Sequence, residues 1–156
     1  MVAVLGIDPG CSGALVLVTE QGGYIDHLAM PTIKVGTKSR VNGAAVAAWI
    51  YEWRGDVLHA YLEQVGAMPG QGTASMFTFG HAAGVVEGII QGLGIAYTLV
   101  TPQAWKKSAG LIGSDKDAAR SRAIQLYPEL RALDAKAKGQ AIADALLIAR
   151  FGIGVK

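Results

Sequence analysis

Apolar positions come as short runs broken by glycine in the first thirty residues and at helical spacing later, a contrast that predicts strands first and helices afterwards. Residues 2–7 are almost continuously apolar, residues 14–19 are rich in β-formers, and residues 24–30 resume the pattern beyond glycine turns at 10–13 and at Gly22-Gly23. Turns this short favour an antiparallel meander. Asn42 is a predicted N-cap for a helix over 43–51, where Ala, Val, Trp and Ile recur at helical spacing. Residues 57–65 alternate as a strand with Glu63 near its end, residues 66–72 read as loop, and residues 73–90 read as a helix that carries several glycines. A last strand is predicted over 95–100, ended by Thr101-Pro102. Only helical patterns follow. Ser114 is predicted to cap a helix with Asp115 and Asp117 in its first turn, running to Leu126 before Pro128, and a final helix covers 138–149 with Ile142, Leu146 and Ala149 on one face. Three sequential strands followed by strands interleaved with helices call for an α/β architecture, a mixed sheet flanked by helices.

The 156 residues are 51% apolar, enough to bury one core, so a single domain over 1–156 is expected. The longest apolar stretches, around 85–90 and 142–149, are too short to cross a bilayer, and no membrane partner is expected. The chain opens on a strand-like run without an export signal, and its lone Cys11 has no companion for a disulfide or a zinc cluster. Both features point to a reducing compartment, the cytoplasm of a bacterial or phage-infected cell, with an organelle as the other setting. A net charge of +2 does not by itself announce a nucleic-acid partner. Its distribution is more informative: Lys34, Lys38 and Arg40, then Lys106 and Lys107, then Lys116, Arg120 and Arg122, then Arg131, Lys136 and Lys138 fall in turns or at helix starts. Such clusters can converge to track phosphates, and taken alone they equally describe a solvated surface.

Three acidic residues stand out because their neighbours are apolar. Asp8, in Gly6-Ile7-Asp8-Pro9-Gly10, ends a buried strand just before a tight turn. It can cap that turn through its own backbone, but a charge straight after Val4, Leu5 and Ile7 is costly without a partner or a metal. Glu63 repeats the theme at the end of another strand, between Leu62 and Val65. Asp144 interrupts Ala143-Asp144-Ala145-Leu146-Leu147-Ile148-Ala149, a helix too apolar to carry an unpaired carboxylate. Two strands and a helix each supplying one carboxylate make a cage for hard cations, magnesium or manganese. Two such ions about 4 Å apart activate water on one side of a phosphodiester and stabilise the leaving oxygen on the other. His27, His59 and His81 are scattered and offer no zinc spacing.

In order along the chain, Gly6-Ile7-Asp8-Pro9-Gly10, Leu62-Glu63-Gln64-Val65, Gly80 through Gly84 to Gly88, and the block around Asp144 resemble the successive motifs of RuvC-like Holliday junction resolvases. The stretch 68–88, with Ser75-Met76-Phe77-Thr78-Phe79-Gly80, is especially similar to the phage and organellar branch. The resemblance implies an RNase H-like fold with a five-stranded mixed sheet, a homodimer, and paired magnesium-dependent nicks in four-way DNA junctions that leave 5′-phosphates. It assigns Asp8, Glu63 and Asp144 as metal ligands, Lys116 as a catalytic lysine and Lys106 as a second functional lysine; Lys106, Lys107, Lys116 and Arg120, from the basic clusters, are expected on the DNA. The family usually carries another Asp or His one turn before the last acidic residue. Gln140 and Ala141 stand there, so Gln140 is expected to offer a neutral oxygen on the same helix face as Asp144. Gly66 also replaces the aromatic that some relatives place after the glutamate, leaving Met68, Met76, Phe77 or Phe79 to take its task.

Two other classes compete with a nuclease. One is a branched-DNA-binding protein that cuts weakly or not at all because one acidic ligand is missing. The other is an ATP-binding domain of the actin or sugar-kinase type, suggested by Gly6-Ile7-Asp8-Pro9-Gly10; that architecture needs a second domain, for which 156 residues leave no room. Forks, flaps and RNA hybrids remain alternative substrates for a related nuclease.

Overall fold

A computed structural model describes all residues, 1–156. Its elements are β1 (Ala3–Asp8), β2 (Ala14–Thr19), β3 (Tyr24–Ala29), β4 (Thr32–Val35), β5 (Lys38–Val41), α1 (Gly43–Trp53), β6 (Val57–Glu63), α2 (Thr73–Gly92), β7 (Tyr97–Val100), α3 (Pro102–Ser108), α4 (Ala118–Leu126), a 3-10 turn (Arg131–Asp134) and α5 (Lys136–Gly152). Five strands form one sheet in the order β3-β2-β1-β6-β7. The first three run antiparallel, as the short glycine turns predict, while β6 lies parallel to both β1 and β7. This is the mixed sheet flanked by helices that the hydrophobic pattern calls for.

Strand parity sorts the core into two layers. Ala3, Leu5 and Ile7 of β1 join Ala60 and Leu62 of β6 against Val46 and Ile50 of α1 and Ala82, Val86 and Ile90 of α2. Val4 points the other way, with Val16 and Val18 of β2, and packs on Ala141, Ile142, Ala145, Leu146 and Ala149 of α5. Even-numbered positions of β1 and odd-numbered positions of β6 therefore face α5, and no charged side chain is fully buried in either layer.

Close approach of α5 to β1 depends on Gly6, because a Cβ there would run into the Ala145 carbonyl and the Ala149 methyl. Gly6→Ala is expected to lower stability by about 1–3 kcal/mol through overpacking. In a thermal melt that is a fall of several degrees, since each kcal/mol moves a domain of this size by about 2–4 °C. An unchanged melting temperature would mean that α5 slides away at no cost.

Several segments depart from the predicted elements. The hairpin of β4 and β5, whose sequence shows only a basic stretch, pairs outside the main sheet, with Val35 opposite Lys38 and Gly36 at φ +65° in the two-residue turn. All four residues of β4 are exposed, so no buried face marks it. The helix expected from Ser114 begins at Ala118 instead. Asp115 accepts a hydrogen bond from the Asp117 amide at 3.0 Å, closing a turn that leaves Lys116 on a loop. The short α3 also escaped specific prediction, although Thr101 caps it by accepting from the Ala104 amide and Pro102 opens it.

Candidate active site

Parity brings the three acidic residues together. Asp8 is an even position of β1 and Glu63 an odd position of β6, so both project to the α5 side; since Ile7 pairs with Leu62, they are adjacent at the carboxyl ends of neighbouring parallel strands. Ligands of open α/β sheets bind in this crevice. From α5, residues 141–149 are buried throughout except Asp144, which is partly buried and lines the recess beside Lys106.

Their electrostatics show how tightly they share it. Burial, reinforced by the negative charge of Glu63, raises Asp8 from 3.8 to about 7, against a backbone hydrogen bond at Gly10 and the charge of Lys106. Burial, then the charges of Asp8 and Glu63, raises Asp144 likewise to about 7. Glu63 is raised by burial and held down in part by a hydrogen bond from Trp105 and by Lys106. Lys106 is thus the one cation that acts on all three carboxylates.

The remaining expected residues are distributed around this centre. Lys116 and Gln140 line a recess of about 160 Å³ together with Lys106, Trp105 and Asp144. The amide nitrogen of Gln140 donates to the Lys116 carbonyl, which ties α5 to the loop before α4. Lys107 is exposed on α3. Arg120, expected on the DNA, is otherwise occupied: its guanidinium donates to both carboxylate oxygens of Asp117 at 2.8 and 3.2 Å and to the Leu133 carbonyl at 3.2 Å. This clamp joins α4 to the 3-10 turn and pairs Arg120 with Asp117.

On the other side of Asp8 a larger cleft, about 690 Å³, lies between the β1–β2 turn, the β4–β5 hairpin and the start of α2. Ser12, Ser39, Ser75, Thr78 and Lys38 line it. The three carboxylates offer oxygen donors, in keeping with a hard divalent cation. No three acidic, His or Cys side chains stand as a closed cage, so Asp8 and Asp144 would turn toward an ion held beside Glu63. A site with three crowded acids and one lysine is short of positive charge, which is the condition a cation relieves.

No protein-family model matches the chain. Over 104 residues it is 32% identical to the chloroplastic Holliday junction resolvase MOC1 of Chlamydomonas reinhardtii, a match that covers 66% of this chain and 12% of the relative. The chain therefore spans only a small part of that relative's length. Among solved structures, Thermus thermophilus RuvC in complex with a Holliday junction substrate superposes with a TM-score of 0.66 at 18% identity, over 97% of this chain and 92% of that one. The chain has a RuvC-like fold. A second Thermus thermophilus RuvC structure gives a TM-score of 0.55 at 19% identity, with 96% of this chain covered and 92% of that one. The five-stranded sheet and its helices have the RNase H-like fold.

Within this RuvC-like fold the aromatic residues near Gly66 take opposite orientations. Phe79 turns inward, near enough that a Cβ at Gly10 would meet its ring at 2.9 Å. Phe77 stays 63% exposed on the first turns of α2, with the Arg40 guanidinium 5.4 Å from its ring centroid. Met68 is exposed on the loop before α2. Trp105 was absent from the expected site residues, yet its indole nitrogen donates to Glu63 at 2.6 Å. A tryptophan in a short polar helix straight after Thr101-Pro102 was the available signal.

Proposed function

We propose that this chain is a structure-selective DNA endonuclease that resolves four-way junctions by metal-dependent phosphodiester hydrolysis. The observation that carries the reading is the gathering of Asp8, Glu63 and Asp144 at the carboxyl ends of two parallel strands, facing one helix, within a RuvC-like fold. These three carboxylates would hold Mg2+, with Mn2+ able to substitute. Bound there, the divalent ions supply Lewis-acid charge to the scissile phosphate and to water. Lys106 brings a positive charge to the crevice from α3, where it meets a phosphate oxygen, and Lys116 does so across the recess that Gln140 shares. Lys107 contributes to the phosphate track; Arg120, held by Asp117, does not. The Gln140 amide oxygen offers a neutral donor where relatives carry a charged one. Residues 1–156 act as a single nuclease domain in this reading, within a cytoplasmic or organellar compartment that holds DNA.

The nuclease works as a homodimer in this reading, since two nicks on opposing strands require two centres. Gly80, Gly84, Gly88 and Gly92 recur at four-residue spacing on α2, and open space surrounds each of them. A second copy of α2 can approach closely along that line. Gly84→Leu is expected to shift the protein toward monomer in sedimentation velocity, and an unchanged association constant would place the interface elsewhere.

The deciding experiment compares a labelled four-way junction with a linear duplex of matching sequence, in Mg2+, in Mn2+ and in neither. Paired nicks in the junction alone, dependent on metal and leaving 5′-phosphates, are expected. Tight junction-selective binding without nicks would favour the second reading, a branched-DNA-binding protein whose centre is incomplete at Gln140. Equal cutting of duplex would point to another substrate.

A further inference from the structure

Trp105 is fully buried, 1% exposed, yet its only polar atom points at the acidic centre. Its place follows from the local chain. Val100 pairs with Glu63 at the end of β7, Thr101 caps α3, and Pro102 sets the first helical turn, so residue 105 returns over the end of β6. The indole packs with Val100, Ala119, Leu147 and Ile148, which join α3, α4 and α5 beneath the site. Indole nitrogen can only donate, and a donor buried this deeply needs an acceptor. It finds Oε2 of Glu63 at 2.6 Å, a short, charge-assisted contact.

We propose that Trp105 is a positioning residue that fixes the Glu63 carboxylate, taking Oε2 and presenting Oε1 to the cation shared with Asp8 and Asp144. This rests on the metal-dependent reading above. Glutamate has three side-chain torsions, and at the end of a strand nothing else in the structure donates to it. A single donor in a packed ring freezes those torsions before a cation arrives, as metal ligands held by an outer hydrogen bond are frozen. Lys106, the next residue, keeps its Nζ 5.5 Å from the Trp105 ring centroid, so one short helix delivers both the restraint on Glu63 and the cation beside it. The indole N–H should accordingly report on the electron density of Glu63, and so on metal loading.

The indole region of a proton–nitrogen NMR spectrum tests this without requiring turnover. Trp49 and Trp53 lie on α1, across the sheet, and serve as internal references. Trp105→Phe assigns the third signal by its loss. In metal-free protein Glu63→Gln is expected to move the Trp105 signal upfield, because a neutral amide oxygen accepts more weakly than a carboxylate. Titration of the wild-type protein with MgCl2 is expected to move that same signal and leave the other two in place. Trp105→Phe, which keeps a ring but no donor, is expected to lower kcat on the junction about tenfold with KM unchanged, the effect of one hydrogen bond. A Trp105 signal indifferent to both Glu63→Gln and Mg2+, in protein that cuts junctions, would overturn the proposal and leave the nuclease reading standing. A signal that answers to Glu63→Gln in a protein that binds no metal would retain the hydrogen bond and overturn its role in loading. If Trp105→Phe fails to fold, the other two spectra still decide.

Discussion

Asp8→Asn is expected to lower cleavage of a four-way junction by about a thousandfold, the scale seen when one charge-stabilising group is removed from a preorganised centre. The substitution keeps size and hydrogen-bonding capacity but removes a charge that a cation needs, at the position where Asp8 is flanked by Glu63 and Asp144. Junction binding should persist or tighten, because a negative group facing the phosphate backbone has gone. Cleavage of a labelled junction and a gel-shift titration in chelator, run on the same preparations, separate the two effects. Asp144→Asn should behave alike, since its side chain is the one opening in an otherwise buried run of α5. Loss of binding in step with loss of cutting would show that these carboxylates shape the fold or the DNA surface instead.

The acidic centre is visible in the sequence for the same reason that it is sensitive to substitution. Asp8, Glu63 and Asp144 each interrupt an apolar run, and a carboxylate in such a run must have a purpose that offsets its desolvation. Strand parity then does the rest: the alternation that buries Ile7 and Leu62 on the α1–α2 side sends Asp8 and Glu63 to the α5 side. What the sequence leaves dark are relations between distant segments that have no periodic signature. Trp105 reaches Glu63 across 42 positions, Gln140 reaches the Lys116 carbonyl across 24, and neither pairing shows in local composition. Arg120 lies in a basic cluster with Lys116, and only the structure shows that Asp117, three residues earlier, pairs with it. The β4–β5 hairpin was unreadable because its residues bury too little to leave an alternating pattern.

Metal-free protein is expected to lose stability as pH rises from about 4 to 7, and the pair Asp8 and Asp144 should account for the loss. Both carboxyls sit near 7 in the folded chain, against an ordinary value of 3.8. Between those limits the folded state holds protons that the unfolded state has released, so each unit of rising pH favours unfolding. The full contribution is present below the unfolded value and gone above 7. A rise of about three units on one group corresponds to roughly 4 kcal/mol at 1.36 kcal/mol per unit. The two groups repel each other and titrate as a pair, so a combined effect of about 4 kcal/mol is the reasonable scale. The Asp8→Asn, Asp144→Asn double variant cannot take up these protons and should lack the slope. Its melting temperature should therefore match the wild type near pH 4 and exceed it by about 10 °C at pH 8, given 2–4 °C per kcal/mol. Comparing the two proteins cancels the titration of groups remote from the centre, including Asp117, whose carboxyl its hydrogen bond to Arg120 holds low. Added Mg2+ at pH 8 should then raise the wild type and leave the double variant where it was, because a ligand that binds only the folded state stabilises only the chain that can hold it. Parallel pH profiles for the two proteins would mean that the carboxyls ionise freely in the folded chain.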